Sequence, residues 1–320
     1  MRIIRHYVEF PGFLRGSVIA LGNFDGVHLG HQKIIKVAKM LSVTKCVACG
    51  VMSFEPHPRE LFDVRVKAFR LTPFRTKVRL IESLKPDFIL MQRFNCKFSE
   101  YIAEKFILQV LVASLDIRHV VVGYDYVFGH DRIGNVALLR KMAQYYKYTV
   151  TCIDPIADKQ NTLYSSTRIR EYLISGFPRK AAHLLGHNWE IEGRVEHGNK
   201  RGCVIGFPTA NIKMSKYLYP ATGVYAVMAG IDRNNSIEWF PGVANFGVQP
   251  TFSEQVVLFE VHLFDFNEDI YGRYLRVSLI EYLRPEIKFN NIQALKIQIE
   301  EDSKLASQIL KSNDIQIIDE

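Results

Sequence analysis

Two histidines one helical turn apart, His28 and His31, close the stretch GNFDGVHLGH at residues 22–31, between a short apolar run and the lysine-bearing QKIIKVAKML. A strand that hands over to a helix through a tight turn exposes unpaired backbone N–H groups and the positive end of the helix dipole, and together these attract an anion. Gly26 and Gly30 allow close backbone approach to such a ligand, while imidazoles at i and i+3 face the same way. The arrangement suits a polyphosphate, whose oxygens the rings can hydrogen-bond and whose developing charge a protonated ring can offset. The same spacing also serves histidines that cap or pack the helix start, or a metal site, for which no third ligand is evident. Asn23 and Asp25 beside them are candidates to orient the rings or to hold ribose or magnesium, and equally fit as turn formers.

A second group, YSSTRIREYL, lies at residues 164–173. Ser165, Ser166 and Thr167 are helix-start residues whose hydroxyls and amides can point at an anion, and Arg168 and Arg170 add forked donors suited to phosphate. Alone it reads equally as an N-cap with a solvated basic turn; paired with the histidine turn it becomes a two-sided phosphate clamp. A third, GNKRGCVIGFPTANI at residues 198–212, is a basic loop whose glycines, Gly206 among them, can wrap phosphates with backbone amides. Its Thr209 hydroxyl and Asn211 carbonyl are hard oxygen ligands for Mg²⁺, though a hairpin loop with an Asn turn has the same composition. FEPHPRE raises a metal reading of Glu55 and His57, but Pro56 and Pro58 favour a rigid extended loop facing the same cleft as the histidine turn.

The elements that must position these groups change character along the chain. From residue 17 to 150, β-branched runs such as SVIALGNF, CVACGVMSF, DFILMQRF and RHVVVGYDYVF alternate with helical stretches, one of them a long helix over SEYIAEKFILQVLVASL. That alternation predicts a doubly wound, mostly parallel sheet covered on both faces, with ligand sites at the carboxyl ends of its strands. Beyond Gly186 the segments WEIEGRVEHG, GVYAVMAGI, EWFPGVANFG, VVLFEVHLFDF and YLRVSLIEYL follow one another without helices, as in an antiparallel barrel or sandwich. A helical stripe through Leu295, Ile299, Ala306 and Ile309 ends the chain. Two domains are expected, 1–186 and 187–320.

Composition narrows the partners. The 320 residues are 48% apolar and 23% charged, so two folded cores are expected. The net charge of +8 comes without a block of like charges, which favours small phosphorylated ligands over nucleic acid. No run approaches the ~18 apolar residues of a membrane span, and the start lacks a signal-peptide pattern, so a cytoplasmic protein is expected. Five scattered cysteines make no disulfide framework, and the CxxC of Cys46 and Cys49 reads as packing in a buried strand.

GNFDGVHLGH with SSTRIR resembles the nucleotidylyltransferase superfamily, whose HxGH and late Ser/Thr/Arg motifs grip ATP from both sides. More closely, GNFDGVHLGHQKII, FEPHPRELF, RLTPFRTKVRLIESL, HVVVGYDYVFGHDRIGN and SSTRIREYL resemble the N-terminal, Rossmann-like module of the bacterial bifunctional riboflavin kinase/FMN adenylyltransferases. RVEHGNKRGCVIGFPTANI, GVANFGVQPTF, FEVHLFDFNEDIYGRYLRV and LRPEIKF resemble the riboflavin kinase module, a small antiparallel β-barrel. The resemblance implies two ATP- and Mg²⁺-dependent reactions, riboflavin to FMN in the C-terminal module and FMN to FAD in the N-terminal one. It implies that His28, His31, Ser166, Thr167 and Arg170 bind the polyphosphate, that Asp125 lies in the nucleotide-binding loop, and that His57 lies on the flavin side. Thr209 and Asn211 carry over as magnesium and ATP residues, and Glu260 as the catalytic base.

Glu260 alternates with Phe259 and Val261, so its side chain leaves the strand on the opposite side; directed into a barrel mouth, a carboxylate there is suited to take up a hydroxyl proton. Val127 and Cys203 stand where family members often carry a basic residue, with Arg132, Lys200 and Arg201 as nearby substitutes. Three rival readings are a protein with one active module, an RNA-binding protein and a flavin sensor. The second lacks an evident RNA-recognising module, and the third is disfavoured by the presence of His28, His31 and Glu260. The motifs leave assembly into a homo-oligomer open.

Overall fold

The computed structural model describes residues 1–62, 68–159, 161–197, 206–214, 216–233, 236–250 and 255–311. They pack as two compact units, residues 1–67 with 72–165 and residues 68–71 with 166–320.

In the first unit β1 (Arg2–Ile4), β2 (Val18–Leu21), β3 (Cys49–Glu55), β4 (Phe88–Arg93), β5 (His119–Gly123) and β6 (Thr149–Ile153) form one sheet in the order β1-β4-β3-β2-β5-β6. Every pairing in it is parallel. Helices Leu29–Thr44, Phe74–Glu82 and Val136–Tyr146 connect the strands. Successive residues of β2 point to opposite faces and both faces are buried: Val18 and Ala20 join Val51, Ile89 and Val121 in one core, Ile19 and Leu21 join Leu90, Val120 and Val122 in the other. This two-sided burial is why the strands read as unbroken apolar runs. Strand order reverses around β2, whose neighbours β3 and β5 come from later in the chain, so the loops after β2, β3 and β5 emerge together at the switch point of the sheet.

Three details differ from expectation. β1 was not foreseen, because three residues carry no readable period. The long helix expected from Ser99 is broken: Asn95 caps a four-residue turn, Cys96–Ser99, and helix resumes at Ala103, passing into a π-helical stretch Phe106–Ser114. Cys46 is exposed in a left-handed turn (φ 53°), so the strand expected over CVACGVMSF starts at the buried Cys49.

In the second unit β7 (Trp189–Glu196), β8 (Ala210–Ile212), β9 (Gly223–Asp232), β10 (Ile237–Pro250), β11 (Gln255–Leu263) and β12 (Tyr274–Arg284) close into an antiparallel barrel in the order β10-β11-β8-β7-β12-β9. The barrel, not the sandwich, is the realised alternative. Helix Ile292–Lys311 covers one side of its wall through Ala306 against Val224, Ala226 and Val243, and is pinned by Arg284, whose guanidinium grips the buried Asp302 carboxylate at 2.6 and 2.9 Å. Helices Ser166–Ile174 and Pro178–Leu185 bury Ile169, Leu173, Ala181 and Leu184 in this unit. Residues 69–71 are held here as well: their successive carbonyls accept from Arg170 Nε, the Leu218 amide and the Trp189 indole, each at 2.8 Å.

Candidate active sites

The chain leaves β2 through Gly22 and turns sharply before helix Leu29–Thr44. Phe24 (φ 48°) and Val27 (φ 43°) adopt left-handed backbone that side chains disfavour, and Gly26 (φ 87°) sits between them. Burial over-determines the turn, since Phe24 and Val27 are fully inside the core. Polar anchors complete it. The Asp25 carboxylate, 2% exposed, accepts the Thr72 amide at 2.9 Å and the Thr72 hydroxyl at 3.2 Å, and the Thr72 oxygen accepts the Gly26 N–H at 2.8 Å. The Asn23 carbonyl accepts from the buried Lys77 ammonium at 2.8 Å and from the Ser53 hydroxyl at 3.0 Å. The Asp25 carboxylate and the Asn23 carbonyl both help to build the turn.

His28 is the N-cap of the helix, its Nδ1 accepting the His31 amide at 3.3 Å. With Nδ1 accepting, a neutral His28 carries its proton on Nε2, which makes that nitrogen a donor. The two imidazoles stack with centroids 3.6 Å apart at 21°, and the Phe24 ring meets His31 edge-on at 5.3 Å. Gly30 leaves room for this ring: a Cβ would lie 3.1 Å from two atoms of the His28 imidazole, a tight contact that would press on it. So the capping and phosphate readings are not exclusive, because the cap uses one ring nitrogen and orients the other.

Asp125 is exposed in the loop after β5, close to the backbone of Gly123, and Val127 is exposed in the same loop. Burial pushes the nearby Tyr126 phenol well above its usual pKa. His57 follows β3 and is 9% exposed; its Nδ1 accepts the Arg59 amide at 3.2 Å, at the start of helix Pro58–Phe62.

Ser166, Thr167, Arg168 and Arg170 open helix Ser166–Ile174 in the second unit, whereas His28 and His31 belong to the first. Thr167 is exposed, and Arg168 makes an exposed i,i+3 pair with Glu171 at 3.5 Å. Arg170 is committed more deeply, with Nε on the Phe69 carbonyl at 2.8 Å and its guanidinium 5.6 Å from the Phe69 ring centroid. Phe69 carried no signal in the sequence.

In the barrel, register decides what Glu260 faces. Phe259 pairs with Phe246 and Ile212, Val261 with Ala244 and Ala210, and all six are buried inside. Glu260 lies directly opposite Asn211 on β8 and Asn245 on β10, and Asn245 in turn is opposite Val224, on the side covered by helix Ile292–Lys311. The half-buried carboxylate therefore stands on the outer side of the wall; the expectation of a carboxylate turned into the barrel mouth is corrected, because the interior is filled by Phe259 and Val261. Asn245 donates to the Glu286 carboxylate at 3.3 Å, and His262, two residues beyond Glu260, hydrogen-bonds the Pro208 carbonyl at 2.8 Å through Nδ1. Sequence reasoning missed Asn245, Glu286 and His262. Gly206 (φ 90°), Thr209 and Asn211 are described, while Lys200, Arg201 and Cys203 lie outside the described residues.

Residues 11–168 match the FAD synthetase family and residues 185–310 the riboflavin kinase family. The bifunctional riboflavin kinase/FMN adenylyltransferase of Haemophilus influenzae is 38% identical over 317 residues, 98% of this chain and 100% of its own. This chain belongs to the bifunctional riboflavin kinase/FMN adenylyltransferase family. The family member from Listeria monocytogenes is likewise 38% identical, over 90% of both chains. A solved structure from Streptococcus pneumoniae, described as a macrolide-efflux protein, superposes with a TM-score of 0.82 at 29% identity over 95% of this chain and 98% of that one. Among the described residues no helix is long and apolar enough to cross a membrane. As in the family, the chain is a transferase with two ATP-dependent activities, phosphorylation of riboflavin to FMN and adenylylation of FMN to FAD.

Proposed function

We propose that the Glu260 face of the barrel wall phosphorylates riboflavin and that the Gly22–His31 turn, with the Ser166–Arg170 motif, handles ATP in adenylyl transfer. The observation that carries the first assignment is the cross-strand pairing of Glu260 with Asn211, two residues after Thr209. That pairing gathers a carboxylate, an amide and a hydroxyl on one segment of wall, a hard-oxygen donor set that fits Mg²⁺ shared with nucleotide phosphates. The described residues hold no cluster of three His, Cys, Asp or Glu, so Thr209 and Asn211 would hold the ion together with phosphate oxygens. Bound there, Mg²⁺ would supply neutralisation of phosphate charge. Gly206 contributes backbone to the same phosphates. Glu260 accepts the ribityl 5′-hydroxyl proton as that oxygen bonds to the γ-phosphorus and the bond to ADP breaks.

In the other reaction an oxygen of the FMN phosphate attacks the α-phosphorus of ATP in line, and pyrophosphate leaves. No covalent nucleophile is needed. His28 Nε2–H and His31 donate to the phosphates as charge shifts onto the leaving group, with Ser166, Thr167, Arg168 and Arg170 as further phosphate contacts and Asp125 on the nucleotide. Asn23 and Asp25 serve by shaping the turn, and His57 by ordering the flavin-side loop. We take 1–186 and 187–320 as the two functional modules, acting in the cytoplasm on small molecules, without nucleic acid.

Flavins separated chromatographically after incubation with Mg²⁺ and ATP test the division. His31→Ala should abolish FAD formation from FMN and spare FMN formation from riboflavin; Glu260→Gln should do the reverse. Equal loss of both reactions in folded variants would remove the assignment.

A further inference from the structure

β8 is only three residues long, and its N-terminal limit has a chemical cause. Ala210, Asn211 and Ile212 pair with Val261, Glu260 and Phe259, so one further step of the register sets Thr209 opposite His262. The residue before it, Pro208, has no N–H to give to a ladder, and its carbonyl needs a donor from another source. The His262 imidazole supplies one, with Nδ1 at 2.8 Å from the Pro208 oxygen. Because a carbonyl only accepts, Nδ1 carries the proton. The same ring meets Phe207 edge-on, centroids 5.3 Å apart at 78°. One half-buried side chain thus touches both residues that lead into Thr209.

We propose that His262 is a positioning residue for riboflavin phosphorylation: it replaces the backbone ladder where proline ends it, and so holds Thr209 and Asn211 on the face that bears Glu260. The inference rests on the assignment of Thr209 and Asn211 to nucleotide phosphate and Mg²⁺. Without the ring, the ties of Phe207, Pro208 and Thr209 to β11 among the described residues run through the three-residue β8, and a segment that binds phosphate must be held more closely than that.

The test uses the full-length chain with His262→Leu, which keeps bulk and loses the donor, His262→Asn, whose amide nitrogen stands near the Nδ1 position, and Thr209→Ala. Two readouts are needed: amide exchange over residues 207–212 in the ligand-free protein, and the KM for ATP in riboflavin phosphorylation. His262→Leu should speed the exchange and raise the KM, each about fivefold, as loss of one hydrogen bond implies, and His262→Asn should restore both. FAD formation from supplied FMN should remain at the wild-type level, and circular dichroism with thermal unfolding reports that each variant is folded. If His262→Leu does not fold, His262→Met, of similar bulk and likewise without a donor to the Pro208 carbonyl, takes its place with the same expected rise. Unchanged exchange or unchanged KM in the donor-lacking variant, beside a raised KM in Thr209→Ala, overturns the role of His262 and leaves the site assignment standing. A Thr209→Ala variant with an unaltered KM for ATP overturns both.

Discussion

Asp25 and Thr72, 47 residues apart in the chain, are joined by two hydrogen bonds to a single carboxylate oxygen, and the Thr72 oxygen passes the connection on to the Gly26 amide. The turn that carries His28 and His31 is therefore braced by the loop ahead of helix Phe74–Glu82 as well as by its own core residues. A left-handed turn of this kind persists only where its surroundings fix it, and the buried carboxylate with its three-group network is that fixture.

Thr72→Val keeps the shape of the side chain and deletes the hydroxyl. Asp25 and the Gly26 N–H each lose a buried partner, at a cost of about 1–3 kcal/mol in stability. FAD formation should fall with loss of turn geometry, while FMN formation in the barrel stays near the wild-type rate. Thermal unfolding and flavin chromatography on one preparation check this; a variant as stable and as active as wild type would show that the network is not what holds the turn.

His28 has two separable jobs, one for each ring nitrogen. His28→Asn retains an acceptor for the His31 amide and removes the Nε2 donor, whereas His28→Ala removes both. Both variants should lose roughly 10²–10³ in the rate of FAD formation, the usual consequence of deleting a donor to developing charge. Only the alanine variant should also lose about 1 kcal/mol of stability through the missing cap. Equal melting temperatures for the two would mean that the 3.3 Å capping contact contributes nothing.

Legibility followed distance along the chain. His28, His31 and the glycines around them were readable because strand, turn, cap and helix are consecutive, and the parallel sheet was readable because burial on both faces leaves apolar runs. The surroundings of Glu260 were not. Alternation states that it points away from Phe259 and Val261, but which side is the interior and which residues lie opposite depend on pairing with β8 and β10. Asn245 and Glu286 meet across 41 residues, and His262 reaches Pro208 across 54, so no local period announces them. The packing limit at Ser166 was hidden for another reason: helix Ser166–Ile174 looks like the rest of an α/β domain, and only the burial of Ile169 and Leu173 beside the barrel separates it.

Gly247 tests the convergence around Glu260. A Cβ at this position of β10 would collide with the Glu286 carboxylate, which accepts from Asn245, the cross-strand neighbour of Glu260. Gly247→Ala should displace the Glu286 carboxylate at little cost in stability, because the atoms in the way are the far end of an exposed, flexible side chain. Riboflavin phosphorylation should slow about tenfold, the rate equivalent of 1.4 kcal/mol, with FAD formation from FMN unaffected. Steady-state rates of the two reactions decide it, and an undiminished kinase rate would separate Glu286 from the chemistry.

His119 sets a pH dependence that belongs to the fold and not to catalysis. It opens β5 with its ring buried, Nε2 at 2.8 Å from the Thr151 hydroxyl and Nδ1 beside the Thr149 hydroxyl. Burial, and after it the positive charge of Lys45, holds its pKa down at about 4 against an ordinary 6.5. Because the imidazole is a base whose folded pKa is lowered, the unfolded chain takes up a proton before the folded one does. Stability is therefore full above pH 6.5, falls as the pH drops from 6.5 towards 4, and stops falling on this account once the folded histidine also protonates. That interval corresponds to roughly 3 kcal/mol. His119→Gln keeps a partner for the threonine hydroxyls and does not titrate. Urea denaturation followed by circular dichroism at pH 7, 6, 5 and 4 should show the wild type losing more stability than the variant on acidification; parallel curves would mean that another group governs the acid limb.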